Sequence, residues 1–85
     1  MARESTENIR INLNRINMKL AELGLFITVE GRYGYKAVEL YEGSEKVNRR
    51  QLATLRTGLS AKEAAYFLDG MDAMIQIAEG YYRTR

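Results

Sequence analysis

An α+β fold, a two-layer sandwich ordered helix, three-stranded antiparallel sheet, helix, is what this sequence predicts, and three observations carry the prediction. Ile9, Leu13, Ile16, Leu20 and Leu23 recur at i, i+4, i+7, i+11 and i+14, the spacing of one stripe on a 3.6-residue helix. From Leu25 to Tyr41 the apolar period falls to two on either side of Gly31-Arg32-Tyr33-Gly34, the pattern of two strands and a tight turn. From Leu59 to Ala78 a helical stripe returns, opened by Ser60 and Glu63 three residues apart, the signature of a capping box. The 85 residues form a single domain, 1–85, that buries only about 60–65 % of its unfolded surface and has little stability to spare.

Each element has its own local reasons. Helix one is expected from about Thr6 to Leu23, with Ser5 or Thr6 as its cap, Glu7 in its first turn and Gly24 as the left-handed residue that ends it. Ile11 and Met18 fall opposite the stripe; they are either isolated exposed apolars or half of a contact with a second molecule. In the hairpin, Glu30 set opposite Tyr35 puts Leu25, Ile27 and Val29 on one face with Lys36, Val38 and Leu40. Phe26, Thr28, Glu30, Tyr35, Ala37 and Glu39 then share the other face. Glu42 to Asn48 is polar and reads as a connection. The stretch from Arg49 to Thr57 fits either a helical turn, through Leu52 and Leu55, or a third strand from about Gln51 to Arg56, and the strand is preferred. In the last helix Ala64, Phe67, Leu68, Met71, Met74, Ile75 and Ala78 form the core stripe, and the segment from Gly80 to Arg85 is a short tail.

Composition removes several function classes. Cys and His are both absent, so disulfides, ordinary zinc sites, thiol or imidazole nucleophile systems and an imidazole proton shuttle are unavailable. No cofactor and no metal are expected. With 46 % apolar and 28 % charged residues the chain is globular. It has no apolar run of membrane-spanning length and no secretory signal pattern, so a cytoplasmic location is expected. The net charge is +2, from 13 basic and 11 acidic residues, too balanced for a dedicated nucleic-acid binder. Nine of the basic residues are Arg, the side chain that pairs bidentately with carboxylates and phosphates and stacks on rings.

Three surfaces are candidates for function. A sandwich with both helices on one side leaves the other sheet face open, and Phe26, Tyr33, Tyr35 and Tyr41 fall on or beside that face. Such aromatics stack bases in single-stranded RNA-binding folds; with Glu30 and Glu39 beside them, a protein partner fits better. On the last helix Tyr66, Gly70, Ala73 and Ile77 make a second stripe, leaving Lys62, Asp69, Asp72, Gln76 and Glu79 as the solvated face. Gly70 costs a mid-helix position about 1 kcal/mol relative to Ala, which marks close packing against helix one or across a two-fold axis. A homodimer is preferred, extended by Ile11 and Met18. Arg49, Arg50 and Arg56, with Arg83 and Arg85, are the nucleic-acid candidates, or else guardians of a sheet edge. Asp69 and Asp72 are a solvated pair rather than acid–base partners, and the chain is not expected to be an enzyme.

The string Gly34-Tyr35-Lys36-Ala37-Val38-Glu39-Leu40-Tyr41, then Leu55-Arg56-Thr57-Gly58-Leu59-Ser60-Ala61-Lys62-Glu63-Ala64 and Phe67-Leu68-Asp69-Gly70-Met71, resembles small accessory proteins of bacteriophages and integrated elements of Gram-positive gut bacteria. The resemblance implies a mobile-element origin and the same element order. Many such proteins act by binding a host or defence protein, anti-CRISPR proteins among them. The order also resembles double-stranded RNA-binding domains, although here the last helix opens with Ala61 and Glu63 around Lys62, where those domains place phosphate-gripping lysines. The expected function is a non-enzymatic protein-interaction module, with a small RNA- or DNA-binding protein as the alternative.

Overall fold

Local signals and one buried cluster together set the architecture of the computed structural model, which describes residues 2–43 and 49–83, with side chains over 6–43 and 49–80. Helix α1 (Ala2–Leu20) closes in a 3-10 turn (Ala21–Leu23); strands β1 (Leu25–Arg32), β2 (Tyr35–Glu42) and β3 (Arg50–Leu59) follow, and helix α2 (Ala61–Arg83) ends the chain. The expected α+β class and element order are present. α1 begins four residues earlier than the Thr6 start, so Ser5 and Thr6 lie inside its first turns instead of capping it. No residue before Gly24 breaks a helix there, and Gly24 stops it with a φ of 72°, a left-handed conformation that costs a residue without Cβ little.

The hairpin is tighter than expected. Arg32, not Glu30, stands opposite Tyr35, leaving Tyr33 and Gly34 as a two-residue turn with φ of 52° and 81°. Both values fit the primed turn whose twist matches that of paired strands. Because the register moved by two residues, each side chain kept its expected face. β1, β2 and β3 pair antiparallel in that order. β3 is longer than the expected 51–56 and meets β2 with three register shifts. Of the connection from Glu42 to Asn48, residues 44–48 lie outside the described ones.

Both helices pack on the sheet face of Ile27 and Val38, where Ile16, Leu59, Ala64 and Leu68 complete a buried cluster. Phe67, Met71 and Ile75 pack against it. Met74 and Ala78, placed in the same stripe by spacing, are exposed, because the contact surface is too narrow to reach both edges of that stripe. α2 also runs through Gly80 to Arg83, where a tail was expected.

The seam between the helices is polar. Asn12 donates to Asp69, Arg15 lies 3.4 Å and Gln76 2.8 Å from the Asp72 carboxylate, and Lys19 lies 2.9 Å from Glu79. Asp72 is buried, which corrects its assignment to the solvated face: α1 lies over that side of α2, and the Arg15 and Gln76 donors keep the carboxylate satisfied. Asn17 deals with the outer edge of β1. Its amide accepts from the Ile27 N–H at 2.7 Å and donates to the Ile27 carbonyl at 3.0 Å, the two bonds a further strand would make. No helix among the described residues is long and apolar enough to cross a membrane.

The capping box forms as expected. The Ser60 N–H donates to the Glu63 carboxylate at 2.8 Å, and the Glu63 N–H donates to the Ser60 hydroxyl at 3.1 Å. Accepting first from the Ser60 backbone and then from its side chain holds the Glu63 carboxyl below its ordinary 4.5. A depressed folded pKa means that its stabilisation is complete above the unfolded value and is lost as pH falls through the folded one. Glu63→Ala is therefore expected to lower the denaturation midpoint at neutral pH and to flatten its decline below pH 4.5. Denaturation at a series of pH values checks this; an acid slope unchanged in Glu63→Ala would show that the box carboxylate does not carry this part of the acid sensitivity.

Candidate interaction surface

The sheet face turned away from the helices is not the open aromatic platform that alternation suggests. Phe26 is 5 % and Tyr41 6 % exposed. Their rings stack with centroids 5.1 Å apart, because Phe26 and Tyr41 are direct cross-strand partners. Arg49 lies over the pair, its guanidinium 4.2 Å from the Tyr41 ring centroid and 6.0 Å from that of Phe26, within cation–π range. A side-chain hydrogen bond to Tyr41, ahead of the attraction of Glu30, raises the guanidinium's pKa above its ordinary value. Phe26 and Tyr41 thus form a small internal stack under a cation, which corrects their place on an exposed face.

Beside the stack the chain buries a charge. Glu39 is fully buried, with Arg32 2.6 Å from its carboxylate and the Tyr41 hydroxyl donating to it at 3.1 Å. Arg32 also approaches Glu30 at 3.6 Å, and Arg49 does so at 3.2 Å. Charges of opposite sign alternate across this face, and long arginine side chains roof it. Sequence alternation placed Glu39 on this face but not its burial, which depends on Arg32 reaching across from the end of β1.

What remains outward is the hairpin tip. Tyr33 is 100 % exposed and Tyr35 is exposed beside it. Together with Arg32, Lys36, Thr57 and Gly58 they border a shallow cavity of about 300 Å³. Of the four expected contact aromatics, the fold brings Tyr33 and Tyr35 together and withdraws the other two. Lys36 and the end of β3 were not foreseen here, since it is the β2–β3 pairing of Lys36 with Leu59 that carries Thr57 and Gly58 to the tip.

Two arginines of the cluster are paired within the chain. Arg49 pairs with Glu30 at 3.2 Å and Arg50 with Glu42 at 3.1 Å, and Arg56 lies close enough to act on Glu63. Arg83 keeps a helical backbone and Arg85 lies outside the described residues. The second stripe of α2, by contrast, is bare: Tyr66, Gly70, Ala73 and Ile77 are all exposed, as are Ile11 and Met18 on α1. α1 packs along the Asp69–Asp72 flank instead, so it does not fill the space at Gly70, where an added Cβ would meet nothing within 4 Å. Among the described residues no group of three or more carboxylates comes together as a metal site.

Comparison with known proteins finds no matching family model and no significantly similar curated protein or solved structure.

Proposed function

We propose that the protein is a non-enzymatic interaction module of phage or mobile-element type that works in the cytoplasm by occupying a surface of another protein, blocking a host or defence protein in the manner of an anti-CRISPR. The observation that supports this reading is Tyr33. A bulky side chain sits at a left-handed turn position, with φ of 52°, where Asn or Gly is favoured, and it points wholly into solvent. Folding gains nothing visible from that ring. A backbone penalty retained at an exposed residue suits a side chain kept for contact. Tyrosine is also among the residues that dominate protein interfaces. Lys36 beside it favours an acidic or carbonyl-rich patch on the partner.

The test separates folding from binding. Tyr33→Asn is expected to raise stability by less than about 1 kcal/mol, because Asn meets a smaller penalty in the left-handed region than a bulky side chain does. Tyr33→Asn with Tyr35→Ala should lower capture of the partner from a bacterial host by roughly 30-fold or more, as losing interface anchors worth about 2 kcal/mol requires. Undiminished capture by this folded double variant would remove the reading. A micromolar or tighter, salt-dependent affinity for labelled nucleic acid, lost in the same variant, would move the function to the alternative class.

A further inference from the structure

We infer that the side of the helical layer turned away from the sheet is a two-fold interface, with α2 of one chain packed antiparallel against α2 of a second copy. The inference goes beyond the partner-binding reading at the hairpin tip and stands without it.

The pattern on α2 identifies the occupant. Tyr66, Gly70, Ala73 and Ile77 are spaced four, three and four residues apart, so the row reads large, small, small, large from either end. A row of this kind is complementary to itself when reversed. In an antiparallel pair Tyr66 meets Ile77 of the other copy and Gly70 meets its Ala73, so two small residues at the centre let the backbones approach while the large ones close the ends. Gly70 supports this independently. It stands in mid-helix at a cost in helix propensity, and the space around it is empty within the chain, so nothing in the monomer accounts for it.

The neighbouring surface admits a copy. Among the described residues, charged groups along α1 and the helix seam are matched within the chain, Arg10 with Glu7 at 3.0 Å, Arg15 with Asp72 and Lys19 with Glu79. A face of matched charges neither repels its own copy nor selects a strongly acidic or basic partner. Ile11 and Met18 extend the apolar area onto α1. The molecule measures 43 by 30 Å in its two longer directions, enough for the roughly 800 Å² per partner of a standard interface. The assembly is a four-layer one, sheet, helices, helices, sheet, which leaves both hairpin tips outward.

Sedimentation velocity on the full chain, from low micromolar to near-millimolar concentration, tests the inference. A monomer–dimer equilibrium is expected, weakened at least tenfold by Ile77→Glu and unchanged by Leu52→Glu, at an exposed apolar site on β3. Circular dichroism checks that both variants fold. The chain has no native cysteine, so the variant carrying Gly70→Cys and Ala73→Cys should cross-link into a covalent dimer on mild oxidation, whereas one carrying Leu52→Cys and Leu55→Cys should not. A chain that stays monomeric throughout, or a dimer indifferent to Ile77→Glu and cross-linked only through β3, overturns it.

Discussion

Leu68→Ala is expected to destabilise the fold by roughly 3–4 kcal/mol, the range for a leucine truncated in a closed core. Leu68 is fully buried and packs with Ile16, Ile27, Val38, Leu59 and Ala64, from both helices and all three strands. No single neighbour can collapse into the space without leaving another contact. A domain of this length has a total stability of only about 4–13 kcal/mol, so the variant should be partly unfolded at 37 °C or close to it. The companion measurement is Met74→Ala. Sequence spacing puts Met74 on the same stripe, yet it is 64 % exposed, and its truncation should change stability by less than about 0.5 kcal/mol. Chemical denaturation of the two variants decides the matter, and equal losses would show that the core has been assigned to the wrong arc of α2.

Removing the cation above Glu39 should be the other severe change. Arg32→Met strips a fully buried carboxylate of its nearest positive charge, and breaking one side of a buried pair costs roughly 3–5 kcal/mol. Arg32 is itself about half exposed, so solvent already screens part of the attraction and the lower end, about 3 kcal/mol, is expected. Glu39→Gln should cost only about 1 kcal/mol, because the amide oxygen still accepts from Tyr41 and Arg32 loses only one of its two carboxylates. Arg32→Met combined with Glu39→Met should be nearly neutral. Denaturation midpoints of the three variants measure the asymmetry. A double variant as unstable as Arg32→Met alone would mean that the arginine acts through packing and not through Glu39.

These effects separate what the sequence disclosed from what it did not. The end of α1, the start of α2 and the hairpin faces were legible because each depends on neighbours within a few residues: Gly24 in the left-handed region, Ser60 with Glu63, and strict alternation on either side of the turn. β3 was ambiguous for a physical reason. Its three register shifts insert extra residues against β2 and break the period of two, so Leu52 and Leu55, three apart, imitate a helical turn. Burial on the second sheet face was not legible. Alternation says which face Phe26, Glu39 and Tyr41 share, but not that Arg32 and Arg49 cover that face.

The candidate surfaces divide along the same line. Tyr33 could be placed in a turn from sequence alone, since Gly31 and Gly34 bracket it; that the turn has two residues and leaves this ring no neighbour was shown by the Arg32–Tyr35 pairing. The bare stripe at Gly70 needed the structure, because the same row would be ordinary core had α1 lain across it. Asn12, Arg15 and Lys19 draw α1 onto the Asp69–Asp72–Glu79 flank and so leave the opposite side uncovered.

By itself, then, the sequence determined the elements, their order and the helix-facing side of the sheet, because periodicity and capping are local and hydrophobic burial selects a face. Only the tertiary structure decided which polar and aromatic groups are hidden and which remain outside. That outcome depends on where long arginine side chains from the end of β1 and the entry to β3 come to rest, and on which flank of α2 receives α1.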